Sequence, residues 1–218
     1  MNRILTTLLA LFFLTHCNNP QTKSVDQNDR LELVPEPDKS QRLTYEAIEQ
    51  LSKSNCSFTE PDTSLCGLIL RDTESVTKII GNNNKMDDAG EYKFYSKLES
   101  ETLTLTQHPG DIKNQISIFK VEKSDKASYG FKELNTDTFK TEKGIRLGLT
   151  KKQIMDRLGN CYASIDSTKN YIELYYLIEA PKDSKSNILK NNNMPKYFAS
   201  YKLRNDRLEE FEFGFEYP

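Results

Sequence analysis

One pattern constrains this chain more than any other. A glycine-led apolar run, a short capped helix and a closing Gly-Asn occur twice. The first copy is Gly67-Leu-Ile-Leu-Arg-Asp-Thr-Glu-Ser-Val-Thr-Lys-Ile-Ile-Gly81-Asn82. The second is Gly144-Ile-Arg-Leu-Gly-Leu-Thr-Lys-Lys-Gln-Ile-Met-Asp-Arg-Leu-Gly159-Asn160. Aligning Gly81 with Gly159 sets an offset of 78 residues, with one gap upstream. An internal repeat governs the fold expectation, because each copy must build a similar unit.

The physics of the unit is readable. Thr150 and Gln153 have capping-box spacing, so a helix is expected over Lys151 to Leu158. Ile154 and Leu158 lie four apart and share its inner face. Gly159 stands where a left-handed residue closes a helix. In the first copy Asp72 or Thr73 caps, Val76, Ile79 and Ile80 form the buried stripe, and Gly81 closes. After each helix the apolar period changes to two. Strands are expected at Glu91 to Leu98 and at Tyr171 to Glu179. Hairpins follow: Thr102 to Gln107 with Ile112 to Val121 around His108-Pro-Gly-Asp111, and Tyr197 to Arg204 with Leu208 to Tyr217 around Asn205-Asp206. Gln41 to Lys53 reads as an amphipathic helix with Leu43, Ala47, Ile48 and Leu51 inward. Residues 181–196 read as a long polar connection, and 125–138 fit helix or loop. The fold class is therefore α+β: two tandem repeats, 41–124 and 125–218, each with short helices packed on one face of an antiparallel sheet.

The second copy's Gly148, Thr150, Ile154, Leu158 and Gly159 carry a family resemblance. This Gly-x-Thr-x-x-x-aliphatic-x-x-x-Leu-Gly pattern before strands resembles the β-lactamase-inhibitor-protein superfamily. Its relatives include the small outer-membrane-assembly lipoproteins of the BamE (SmpA/OmlA) type. Cys161 stands where that family often has Pro, and the first copy lacks the internal Gly. The resemblance spans about 16 residues per copy plus the strand order. It implies the α+β repeat fold and a binding role, and it names no partner.

The amino terminus speaks to compartment. Arg3 precedes the apolar stretch Ile4 to Leu14, which is shorter than the roughly 20 residues that a spanning helix needs. It fits the apolar region of an export signal. Leu14-Thr15-His16-Cys17 resembles the lipobox of bacterial lipoproteins, with His16 where small residues are usual. That resemblance implies cleavage after residue 16 and lipidation of Cys17. Acyl chains anchor at about 0.8 kcal/mol per buried methylene, so a folded domain can be membrane-held without a spanning helix. Residues 17–40 are polar, with three prolines, and read as the lipidated Cys and a flexible tether. Asn18, by resemblance to the enteric sorting rule, favours the outer membrane over the inner. A lipid-anchored protein of the bacterial cell envelope is the expectation.

The chain has 218 residues with Lys plus Arg 30 against Asp plus Glu 32. Loss of residues 1–16 removes Arg3 and no acid, so the formal charge of −2 becomes −3. No bulk field recruits nucleic acid. Catalytic motifs are missing: no P-loop, GxGxxG, GxSxG or HExxH occurs. His108 is the sole histidine after processing and sits in the His-Pro-Gly-Asp turn, where solvation is expected. The oxygen-rich Asn82 to Asp88 lacks calcium-loop spacing. No catalytic residues, no metal and no cofactor are therefore expected. Cys56 and Cys66 read as a disulfide worth about 2–3 kcal/mol in the chain-entropy model. Cys161 reads as a small buried hydrophobe, with pairing to Cys66 the alternative.

Strand alternation then sorts the faces. Phe211, Phe213, Phe215 and Tyr217 face inward, while Glu210, Glu212 and Glu216 face out. By the same alternation Tyr95, Tyr171, Tyr175 and Phe198 fall on the open side, a candidate binding face. The expected function is a non-catalytic protein-binding module tethered to the envelope membrane. An envelope-assembly accessory and, third, a hydrolase built on strand carboxylates are the alternatives.

Overall fold

The computed structural model describes residues 39–98, 100–124, 132–167 and 171–216. The leader, Cys17 and the tether up to residue 38 lie outside the described residues, as do 125–131 at the expected boundary of the two halves. The described chain runs α1 (Lys39–Lys53), β1 (Ser64–Leu65), β2 (Leu68–Ile69), α2 (Thr73–Ile80), β3 (Glu91–Tyr95), β4 (Glu101–Thr106), β5 (Ile118–Lys123) and β6 (Lys132–Glu133). It continues with α3 (Lys151–Leu158), β7 (Ala163–Ser167), β8 (Tyr171–Glu179), α4 (Asn187–Asn192), β9 (Lys196–Arg204) and β10 (Arg207–Glu216). The fold is α+β. β1 and β2 form a minimal hairpin, and the other strands form one eight-stranded sheet in the order β6-β3-β4-β5-β10-β9-β8-β7. Only the β3–β6 pair is parallel. The sheet thus contains two antiparallel meanders, β3-β4-β5 and β8-β9-β10, joined along β5 and β10.

Local chemistry places the helices where the sequence expects them. Asp72 caps α2 by accepting the Ser75 N–H at 2.8 Å. Thr150 accepts the Gln153 N–H at 3.2 Å while Gln153 accepts the Thr150 N–H at 2.9 Å, a complete capping box. Gly81 and Gly159 close α2 and α3 with φ of 82° and 83°. Their ψ angles, 175° and −174°, correct the left-handed expectation: both sit in an extended positive-φ region essentially restricted to glycine. The β9–β10 turn is Asn205-Asp206, with φ of 50° and 56°, as a tight turn twisted like its strands requires. Asp206 also accepts the Lys151 N–H at 3.1 Å, so this turn helps satisfy the start of α3.

Burial follows the alternation. Phe94, Leu103, Phe119, Phe211, Tyr201 and Tyr176 are among the inner-face side chains of one continuous core. Val76 of α2, Ile154 and Leu158 of α3 and Leu189 of α4 close it from above. Ile79, expected in the buried stripe, is instead exposed. The expectation of helices on a single face needs correction at α1. Leu51, with Ala47 and Ile48, packs instead on the outer face, against Ala163, Ile165, Tyr175, Leu177 and Phe198. Leu43, read as inward, is exposed.

The disulfide is also a correction. Cys56 pairs with Cys161, with Cα atoms 5.6 Å apart, and Cys66 is free and exposed. The reason is topological. Cys56 follows α1 and Cys161 precedes β7, and α1 lies on β7. Cys66 sits in the β1–β2 turn with φ of 49°, and its N–H donates to Lys140 O at 3.0 Å, which ties it to a different part of the chain. The bond spans 105 residues in sequence. A loop of that order is worth about 4.7 kcal/mol in the chain-entropy model, against about 2–3 for the short loop first considered.

A second interlock joins distant loops. Glu142 accepts from the Thr63 N–H and the Ser64 hydroxyl, both at 2.6 Å. Asp62 accepts the Lys143 N–H at 3.1 Å and is fully buried. Its second carboxylate oxygen has no hydrogen-bond partner. Burial pushes this carboxyl up from 3.8 to about 6, against the pull of the Lys143 and Thr141 hydrogen bonds.

Of Cys56, Cys66 and Cys161, only Cys66 should react with maleimide in the unreduced protein, as peptide mapping will read. Cys161→Ser should lower unfolding free energy by about 2–5 kcal/mol, and Cys66→Ser by less than about 1. For Asp62 the folded pKa exceeds the unfolded one, so the native state binds the proton more tightly. Its ionised form therefore destabilises the fold above about pH 6, and that penalty fades as pH falls toward 3.8. Asp62→Asn, which keeps the acceptor for Lys143, should stabilise at pH 7.5 by up to about 3 kcal/mol. Denaturant titrations at pH 7.5 and 4.5 should show that gain and its fall to about 1 kcal/mol.

Candidate functional site

The outer face of the sheet is the candidate site, and pairing register defines it. One row across it reads Lys93, Thr104, Lys120, Glu212, Ser200 and Tyr175, each directly opposite the next. The neighbouring row reads Tyr95, Thr102, Glu122, Glu210, Lys202 and Glu173. Strand alternation puts these side chains on the side opposite the main core. The two rows divide at β9. Toward β7 the face is apolar and lies beneath α1. Toward β4 it is polar.

The polar part is a lattice of alternating charge. Lys120 pairs with Glu122 at 2.8 Å and lies 3.7 Å from Glu210. Lys202 pairs with Glu210 at 2.8 Å. Ser200 donates its hydroxyl to Glu173 at 2.6 Å. Burial opposes the charged form of both lysines, yet the carboxylates around them hold both ammonium groups above the ordinary lysine range. Glu212 differs from its neighbours. Among the described residues its carboxylate accepts no hydrogen bond and joins no ion pair within 4 Å. Burial pushes its pKa up, Lys120 and Lys202 pull it down, and Glu210 and Glu173 push it up further. The centre of the polar face therefore carries more carboxylates than ammonium groups, with one carboxylate lacking a direct partner.

The four aromatic residues expected on an open face lie on this side of the sheet, but they are not open. Tyr95, Tyr175 and Phe198 are only 4%, 7% and 8% exposed. Tyr175 and Phe198 stack at 6.1 Å beneath α1, forming the second apolar cluster. The Tyr175 hydroxyl donates to Glu216 at 3.1 Å. Tyr171 is half-buried, with the Arg204 guanidinium 4.3 Å above its ring and donating to its hydroxyl. Alternation fixes which side a residue takes and says nothing of what covers that side. What sequence reasoning missed is the polar row itself. Alternation places Glu210 and Glu212 outward, but nothing local marks Lys120 and Lys202 as their neighbours. Their register is set by β5 pairing with β10, far away in sequence.

Other candidate positions are accounted for. His108 is not solvated at a turn tip: its Nε2–H donates to Phe215 O at 2.7 Å, tying the β4–β5 connection to the end of β10. Among the described residues, no group of three or more His, Cys, Asp or Glu is arranged to hold a metal ion. No described helix is long and apolar enough to cross a membrane. Compared with known proteins, the chain matches no family model, no curated protein and no solved structure.

Substitution separates a covered aromatic pair from an exposed binding pair. Phe198→Ala should destabilise by about 3–5 kcal/mol, as for a core phenylalanine. Tyr175→Phe keeps the ring and loses one hydrogen bond, so about 1 kcal/mol is expected. An exposed pair would leave the unfolding midpoint in urea nearly unchanged in both variants.

Proposed function

We propose that this protein is an envelope lipoprotein, anchored through Cys17, whose folded part is a non-catalytic protein-binding module working through the polar outer face. The observation that carries the reading is Glu212: a half-buried carboxylate with no direct hydrogen-bond or ion-pair partner among the described residues, at the centre of a sheet face that α1 covers at the β7 side. Surface charges usually find their counter-ion or open solvent. A carboxylate held between those states is suited to a cation brought by a partner.

The tandem repeat and the inhibitor-like family belong to the same proposal. α2 and α3 have eight residues each, begin at equivalent caps and end at glycines with matching angles. Each precedes a meander, and the two meanders meet along their last strands. A two-unit sheet of this kind offers one long face to a partner. Anchoring at the outer membrane and a role as accessory to envelope assembly are consistent with the leader and tether. A second reading, hydrolysis through strand carboxylates, has one observation behind it, the raised pKa of Glu212 beside Glu210. It requires turnover that Glu212→Gln abolishes.

Two measurements test the proposal. Metabolic labelling with an alkyne fatty acid should tag the wild type and not Cys17→Ser, and the variant should leave the membrane fraction. In-cell crosslinking followed by detergent pull-down should capture a protein that is lost from Lys120→Glu and Glu212→Lys. Capture unchanged in both variants would sink the polar face as the binding surface.

A further inference from the structure

On the helix-covered side of the sheet, a cavity of about 530 Å³ opens between β2, the start of α2, α4 and the end of β10. Its walls are apolar at Ile69, Ile188 and Phe215 and polar at Arg71, Asn191 and Asn192. That volume lies within the range of roughly 300–1,000 Å³ typical of small-ligand sites. The cavity lies on the opposite face from the polar rows and does not depend on the reading given to them.

Arg71 gives the cavity its chemistry. Its backbone has φ of 64°, a conformation that a non-glycine residue keeps only when its surroundings impose it. The Arg71 N–H donates to Ile116 O at 2.8 Å, which helps impose it. The side chain is only 15% exposed. Nη1 donates to Asp111 and, at 2.7 Å, to the Ser117 hydroxyl. Asp111 is further satisfied by the Ser117 hydroxyl at 2.7 Å and the His108 N–H at 2.9 Å. Among the described residues, Nε and Nη2 of Arg71 donate to nothing. Asp72, also on the wall, spends its carboxylate on the α2 cap. A guanidinium anchored through one nitrogen thus keeps its Nε–Nη2 edge free. That edge is the fork that meets a carboxylate with two parallel hydrogen bonds.

We propose that this cavity binds a small carboxylate with a short branched apolar body. The carboxylate takes the Nε–Nη2 edge of Arg71, and the carbon chain lies against Ile69 and Ile188. Two sources share this chemistry, a free short-chain acid and the carboxyl terminus of a peptide. The test is isothermal titration calorimetry on the full-length protein in detergent. The probes are 4-methylpentanoate, its amide, and N-acetyl-glycyl-leucine. Saturable binding of at least one acid is expected, with the amide weaker by about tenfold or more. Tighter binding of N-acetyl-glycyl-leucine marks a peptide terminus as the source, and tighter binding of 4-methylpentanoate marks a free acid. Arg71→Lys, which keeps the charge and loses the fork, should weaken the acids by about tenfold. Asn191→Trp lies at an exposed position of α4, fills the cavity and should abolish binding with the melting temperature unchanged. That variant decides the matter if Arg71→Lys fails to fold. No saturation by either acid at about 20 mM, equal binding of the amide, or undiminished binding in Asn191→Trp would overturn the proposal.

Discussion

The seam between β5 and β10 is the constraint on which the rest of the structure depends. Ile118 to Glu122 pair with Gly214 to Glu210, joining two meanders that are otherwise separate in sequence. Phe119 and Phe213 meet edge to face across it, with ring centroids 5.5 Å apart. At its end Ser117 O accepts the Phe215 N–H at 2.9 Å. The same carbonyl comes so close to Gly214 that a Cβ there would lie 2.1 Å away. Only glycine permits that approach. Without the seam, each meander would present an open edge strand and an uncovered flank of aromatic side chains. With it, the inner faces merge into one core and the outer faces align into continuous rows.

The two faces are stabilised by different means. The inner face is apolar throughout and needs a full cover, which the three short helices and the loop around Phe139 and Ile145 provide. The outer face is apolar over β7, β8 and β9, and there α1 packs on it through Ala47, Ile48 and Leu51. The Cys56–Cys161 bond fixes that helix beside the strand it covers. Beyond β9 the outer face carries alternating charge over β10 and β5, while Tyr95, Thr102 and Thr104 at its β3–β4 end are buried. Exposed ion pairs contribute little to stability, typically about 0–1 kcal/mol each. Their arrangement here bears on what the face attracts more than on whether the fold holds.

Much of this was legible in the sequence, for local reasons. The Thr150–Gln153 box, the closing glycines and the Asn205-Asp206 turn are each decided within a few residues. Strand parity is equally local, so Phe211, Phe213 and Phe215 could be assigned inward and Glu210 and Glu212 outward. What escaped was decided at long range. α4 has only Ile188 and Leu189 to mark it within a polar stretch, and it folds because Leu189 finds the core. β7 is five residues long and becomes a strand by pairing with β8. The cysteine pairing depends on which strand α1 covers, and ten residues of separation between Cys56 and Cys66 carry no information about that. Tyr175 and Phe198 could be placed on the outer side, but a helix more than a hundred residues away in sequence covers them.

Both candidate sites hang on β10, yet on opposite sides of it. Glu212 projects from the outer face, and Phe215, three residues on, lines the Arg71 cavity. Ser117, which anchors the Arg71 side chain, holds the same strand through its carbonyl. A ligand at one site could influence the other only by moving β10, and β10 is paired with β9 along nearly all of its length and with β5 from Glu210 to Gly214. Coupling between sites needs an element with two arrangements that both ligands bias. A strand locked at Gly214 by a backbone contact has only one. The two proposed sites, the polar face outside and the Arg71 cavity inside, are therefore expected to act independently on one rigid strand.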